Sequence, residues 1–193
     1  MNNNFNTNKG VNGNILNLNK VKITIQKFAT GKYLIISIVI LFFLLFSMRS
    51  VDGNYLDMRF GYNADEAFNV ISNLGVMGRK SYLSYLGLDF GVIIFLSMTL
   101  LLIIAILLKE LKRNDKWAIL YLFPLARGIC DIFENILIMI IIFIYPKRLD
   151  GVANTSGMVT KFKWILMIIT MIFIAIFIFI VLVKKIRFKK HIA

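Results

Sequence analysis

The stretch from Trp117 to Tyr145, WAILYLFPLARGICDIFENILIMIIIFIY, decides how this chain is read. As a helix rising 1.5 Å per residue it is long enough to cross a hydrocarbon core of about 30 Å. Yet it carries Arg127, Asp131, Glu134 and Asn135. Spacings of four, three and four residues put all of them on one helical stripe. Three charges at mid-bilayer cost on the order of 7–10 kcal/mol, and the sixteen Leu, Ile and Phe residues of the stretch return roughly 5–10 kcal/mol. The sums nearly cancel. Insertion therefore requires the stripe to face the interior of a bundle or a water-filled cavity, while the opposite face meets lipid. Pro124 is expected to kink the helix and open room around the stripe.

Three further apolar runs flank this one. Tyr33 to Met48 is uncharged between Lys32 and Arg49, and Phe46-Ser47-Met48 offers no small-x-small cleavage pattern, so it reads as a retained helix. Tyr82 to Leu108 is interrupted only by Asp89, and Trp164 to Val183 carries no charge. Gly87 and Gly91 give the second run a small-xxx-small spacing that lets another helix approach. Of 193 residues, 59% are apolar and 17% charged, with 12 Gly and 2 Pro. Soluble enzyme folds and disulfide scaffolds are excluded. The predicted architecture is all-α: a polytopic four-helix transmembrane bundle with spans at about 33–48, 82–108, 117–145 and 164–183. It forms one membrane domain over 32–183, between a disordered Asn/Lys-rich tail (1–31) and a basic tail (184–193).

Lys and Arg outnumber Asp and Glu by 23 to 10, for a net charge of +13. These cations concentrate in residues 1–32, 109–116 and 184–193, so the positive-inside rule predicts both termini in the cytoplasm of a multi-pass cell-membrane protein. Anionic headgroups on that side are the expected partner, and no nucleic-acid motif appears. Cys130 is the one cysteine and His191 the one histidine, which leaves no disulfide, zinc set or Ser-His-Asp triad to build. No cofactor motif is present.

The loop between the first two spans has Asn63-Ala64-Asp65-Glu66, a capping-box pattern, followed by Phe68, Ile71 and Leu74 at helical spacing. A short amphipathic helix on the outer face is predicted there. By depth, Asp89 shares the outer half with Glu134 and Asn135. The candidate ligand site is Asp89, Arg127, Asp131, Glu134 and Asn135, with Arg79 folding over it. Arg127 pairs with Asp131 one turn away, which leaves Glu134 in need of a partner. Three functions compete: a pocket for a small or lipid-like ligand or for protons; a lipid-modifying enzyme with Glu134 as general acid or base and Asp89 as its partner; and a structural or regulatory subunit in which the stripe only joins helices.

The run Tyr55-Leu56-Asp57-Met58-Arg59-Phe60-Gly61-Tyr62, then Glu66-Ala67, Gly78-Arg79 with Tyr82, Asp89, and Asp131-Ile132-Phe133-Glu134-Asn135, resembles small four-span membrane proteins of unassigned function. That resemblance covers about residues 55–165 and implies architecture without chemistry. The layout is also loosely similar to the emopamil-binding/sigma-2-receptor group, which implies four or five spans, an outer or lumenal first loop, and acidic residues in a sterol-sized cavity. Asp89 matches the acid on that group's second helix. Its sterol isomerases use a membrane-embedded His, which this chain lacks. The resemblance therefore implies a lipid-like binding cavity and no isomerase activity.

Overall fold

A computed structural model describes residues 23–48, 55–112 and 115–190. Among them every regular element is a helix, and there is no strand. Helix α1 covers 23–28, α2 Gly31–Met48, α3 Ala64–Asn73, α4 Gly75–Glu110, α5 Leu122–Ile144 and α6 Asp150–Lys190. Short 3-10 turns, Leu56–Met58 and Asp115–Tyr121, precede α3 and α5. Three helices, α2, α4 and α6, are long and apolar enough to cross a membrane.

Several boundaries differ from the sequence reading. The tract 1–31 reads as disordered; residues 1–22 lie outside the described residues, but 23–28 are helical, and Ile25 and Ala29 pack into an apolar cluster. The fourth apolar run is bounded by Lys163 and Lys184, yet α6 continues through both, because neither Gly nor Pro stops it between Met158 and Lys190. Residues 184–190 of the basic tail are thus helical, and 191–193 lie outside the described residues. Pro124 produces no mid-helix kink: α5 begins at Leu122, so the proline sits in the first turn, where its missing N–H has no intrahelical partner to lose.

Helix α3 starts as its sequence dictates. The Asn63 side chain accepts from the Glu66 N–H, and the Glu66 carboxylate accepts from the Asn63 N–H, both at 2.9 Å. Ala64, Ala67, Phe68 and Ile71 form its buried face. The loop ahead of it lies directly on α6. A Cβ at Gly157 would fall 1.9 Å from the Tyr62 carbonyl oxygen, so only glycine permits this approach. Asn154 Oδ1 accepts from the Ala64 N–H at 2.8 Å, and the Tyr62 hydroxyl meets Ser156 Oγ at 2.6 Å.

The long helices are layered. Near the loop, Tyr55, Leu56, Tyr82, Leu86, Ile138 and Ile141 belong to one apolar cluster; towards the other end, Leu100, Ile104, Leu108, Leu120 and Phe177 belong to a second. Along α5 and α6 the buried ionisable residues fall between the two, while Asp89 of α4 lies within the first, between Leu86 and Val92. Helix α2 packs on α4, where Thr99 Oγ1 donates to Ser37 Oγ at 3.1 Å and Gly91 faces Leu44. Gly87, its partner in the small-residue spacing, has open space instead. Gly128 of α5 comes against Ser97 of α4.

Candidate functional site

The polar layer is built from three helices and one loop. Helix α5 contributes Arg127, Asp131, Glu134 and Asn135, all buried, with Glu134 and Asn135 at 0% exposure. The exposed residues on α5 are Leu122, Ile129, Ile132, Phe133, Ile136, Phe143 and Ile144. This inverts the pattern of a soluble helix: charges face inward and hydrocarbon faces out. Helix α6 answers with a matching stripe, Ser156, Thr160 and Lys163, at the same three-to-four spacing.

Lys163 holds the layer together. Its Nζ lies 2.5 Å from Glu134 Oε2 and 3.0 Å from Asp131 Oδ1, and donates to the Asp57 carbonyl at 3.1 Å. Those three acceptors match the three donors of an ammonium. Asp131 is also paired with Arg127 Nη2 at 2.5 Å. Thr160 Oγ1 donates to Glu134 Oε1 at 2.7 Å and to the Ser156 carbonyl at 2.9 Å. Each of these four ions therefore has an opposite charge beside it, the condition under which buried charge is tolerated.

Asp89 of α4 accepts a 2.8 Å hydrogen bond from the Asn135 side chain and forms no ion pair among the described residues. Asp57 extends the layer from the loop. Its Oδ1 accepts from the Tyr82 hydroxyl at 2.8 Å, and that hydroxyl accepts from the Leu56 N–H at 2.9 Å. Tyr55 stacks on Tyr82 with ring centroids 4.0 Å apart. Burial pushes the Asp57 carboxyl above its ordinary value, against the lowering effects of the Tyr82 hydroxyl and Lys163. Burial likewise raises the Tyr62 hydroxyl well above the usual phenol range.

Beside this layer is a cavity of about 280 Å³. Asp57, Asp89, Arg127, Asp131 and Lys163 form its polar side. Leu45, Met58, Leu96, Trp164 and Met167 form its apolar side. Glu134 and Asn135 do not line it; they stand behind Lys163 and Asp89. Arg127 Nε and Nη1 and Trp164 Nε1 are buried without a hydrogen-bond partner. Among the described residues no three His, Cys, Asp or Glu side chains group as metal ligands would.

Five of the six residues that the sequence singles out thus meet in one layer. Arg79 does not: its Nη1 donates to the Ile71 carbonyl at 3.2 Å, and its guanidinium lies 4.5 Å from the centre of the Tyr145 ring. It braces α3 against the end of α5 rather than covering the cavity. Sequence reasoning misses Lys163, Thr160 and Ser156, whose shared spacing is the available signal. It groups Asp57 with Tyr55, Arg59 and Tyr62 as a polar aromatic set and takes them for an ordinary solvated loop; Asp57 is instead buried, because its partners Tyr82 and Lys163 are distant in sequence. No family model, curated protein or solved structure matches this chain.

Proposed function

We propose that this is a four-span integral membrane protein that binds a small amphiphilic, lipid-like ligand in the cavity between α2, α4, α5 and α6. In this reading α5 is the fourth span. Its length suits a bilayer at about 1.5 Å per residue, and its charges are turned onto Lys163 and Asp89 while its outer face is apolar. The observation that carries the ligand is the two-sidedness of the cavity: ionisable groups along one wall, Leu and Met side chains along the other. Neither a soluble metabolite nor a plain hydrocarbon would use both walls.

The geometry favours binding over lipid chemistry by Glu134. That carboxylate is fully buried, held by Thr160 and Lys163, and absent from the cavity wall. A general acid or base has to reach the proton it transfers. Cell-membrane location with both termini cytoplasmic is part of the proposal. Removing buried Lys163 from the loop count widens the cation bias towards the terminal side, where Lys184, Lys185 and Arg187 stand exposed for anionic headgroups.

Lipid analysis of the purified full chain tests the ligand. The wild type should retain one lipid species at near-equal molar ratio, and Leu96→Trp, which fills the apolar side, should lose it while keeping its melting temperature. Equal lipid recovery from both proteins, at the ratio of the bulk membrane, would refute the proposal.

A further inference from the structure

On the ligand-binding reading, on which this inference rests, the cavity wall specifies more than an amphiphile. Asp89, at 9% exposure, uses Oδ2 for Asn135, and its other oxygen carries no hydrogen bond among the described residues. Arg127, also at 9% exposure, uses Nη2 for Asp131 and leaves Nε and Nη1 unpartnered. The polar wall thus brings a carboxylate oxygen without a hydrogen bond together with a guanidinium that has two buried, unpartnered donors. Lys163 is already engaged by Asp131, Glu134 and the Asp57 carbonyl, so it has no free donor to offer a ligand.

This combination selects a head group. An anionic head would satisfy Arg127 but meet the carboxylate of Asp89, in a layer that already holds four carboxyl groups against two cations (Asp57, Asp89, Asp131 and Glu134 against Arg127 and Lys163). A cationic head would satisfy Asp89 and suit the excess of carboxyl groups, but it would leave Arg127 Nε and Nη1 without an acceptor. Like charge in a low-dielectric site disfavours the first, and unmet buried donors disfavour the second. A hydroxyl donates and accepts without charge, so a head with two or more hydroxyls answers both residues.

The cavity also shows where the tail goes. Its volume is below the range of roughly 300–1,000 Å³ that encloses a drug-sized ligand. Its rim is open: Leu45 of α2 is 49% exposed and Met58 is 57% exposed. Helix α2 packs on α4, and its Leu45 lines the cavity together with Trp164 and Met167 of α6. A chain leaving the cavity between α2 and α6 reaches the apolar exposed faces of both helices.

We infer that the ligand is an uncharged lipid with a polyhydroxyl head of the glycerol type, its head on Asp89 and Arg127 and its chain passing out between Leu45 and Met167. The test uses the full chain in phosphatidylcholine nanodiscs with Trp117→Phe, which makes Trp164 the only indole. Trp164 fluorescence is titrated with a monoacylglycerol bearing a dibrominated stearoyl chain, with the matching brominated fatty acid, and with the matching brominated alkylamine. Expected is saturable quenching by the glyceride, with half-saturation at least about tenfold higher for both charged lipids. Leu45→Phe, which narrows the exit without touching the polar wall, should raise the glyceride's half-saturation about tenfold at unchanged helix content. Equal or tighter binding of the acid or the amine overturns the head-group assignment and leaves amphiphile binding standing. No effect of Leu45→Phe overturns the exit route. Non-saturable quenching by all three lipids overturns this inference and the proposed function together.

Discussion

Replacing Lys163 with methionine isolates the charge at the centre of the polar layer. Methionine keeps a long unbranched stem, so packing in α6 changes little and the ammonium alone is lost. Asp131 retains Arg127, but Glu134 retains only the Thr160 hydroxyl at 0% exposure. Breaking a buried ion pair by removing one partner costs about 3–5 kcal/mol, since the other charge is left without compensation. At roughly 2–4 °C per kcal/mol for a chain of this size, the melting temperature should fall by about 6–20 °C. Glu134→Gln alone is milder: Gln still accepts from Thr160, and Lys163 still has Asp131. In the double variant the stranded carboxylate is gone. It should therefore be more stable than Lys163→Met alone, with a coupling of about 2 kcal/mol or more. Thermal unfolding in detergent, followed by circular dichroism, measures all three. A Lys163→Met melting point within about 2 °C of wild type, or strictly additive effects, would refute the reasoning.

Two further perturbations probe the loop. Gly157→Ala drives a Cβ into the Tyr62 carbonyl and should destabilise by about 1–3 kcal/mol, whereas Gly151→Ala meets open space and should be neutral or stabilising by up to about 1 kcal/mol; similar melting temperatures for the pair would contradict the close approach. Asp57→Asn keeps an acceptor for Tyr82 and leaves the backbone carbonyl that Lys163 uses. Because burial raises the folded-state value of Asp57, the wild type is favoured below the ordinary carboxylate range and loses that stability as pH rises through the raised value. The variant should therefore melt higher than wild type at pH 8, with the difference vanishing below about pH 4; a difference that is constant or grows on acidification would count against this assignment.

Much of the architecture is legible in the chain because it arises from local pattern. Apolar runs mark the helices, Asn63 and Glu66 mark the start of α3, and the spacing of Arg127, Asp131, Glu134 and Asn135 puts them on one face. The sequence also places Asp89 beside Asn135 by depth, where the two side chains meet at 2.8 Å. Lys163 escapes for a physical reason. A lysine at the edge of an apolar run reads as the end of a span, since a solvated ammonium is the ordinary outcome. Only the fold reveals that α6 continues past it and that two carboxylates and a carbonyl await it. The same limit applies to Asp57 and Arg79, whose partners Tyr82 and Tyr145 lie many residues away. Gly157 reads as part of a loop, whereas α6 begins at Asp150 and includes it.

If α5 crosses the bilayer with its ionisable stripe turned inward, as every functional reading of this chain requires, the opposite face must lie in hydrocarbon. Spin labels at Ile129, Ile132 and Ile136, on a Cys130→Ser background in liposomes, test this most directly through collision with oxygen and with a water-soluble nickel chelate. High oxygen and low nickel accessibility at all three positions is expected, with the oxygen value rising towards the middle of the helix. Nickel accessibility at Ile132 and Ile136 equal to that of an exposed loop site such as Lys147 would contradict the claim.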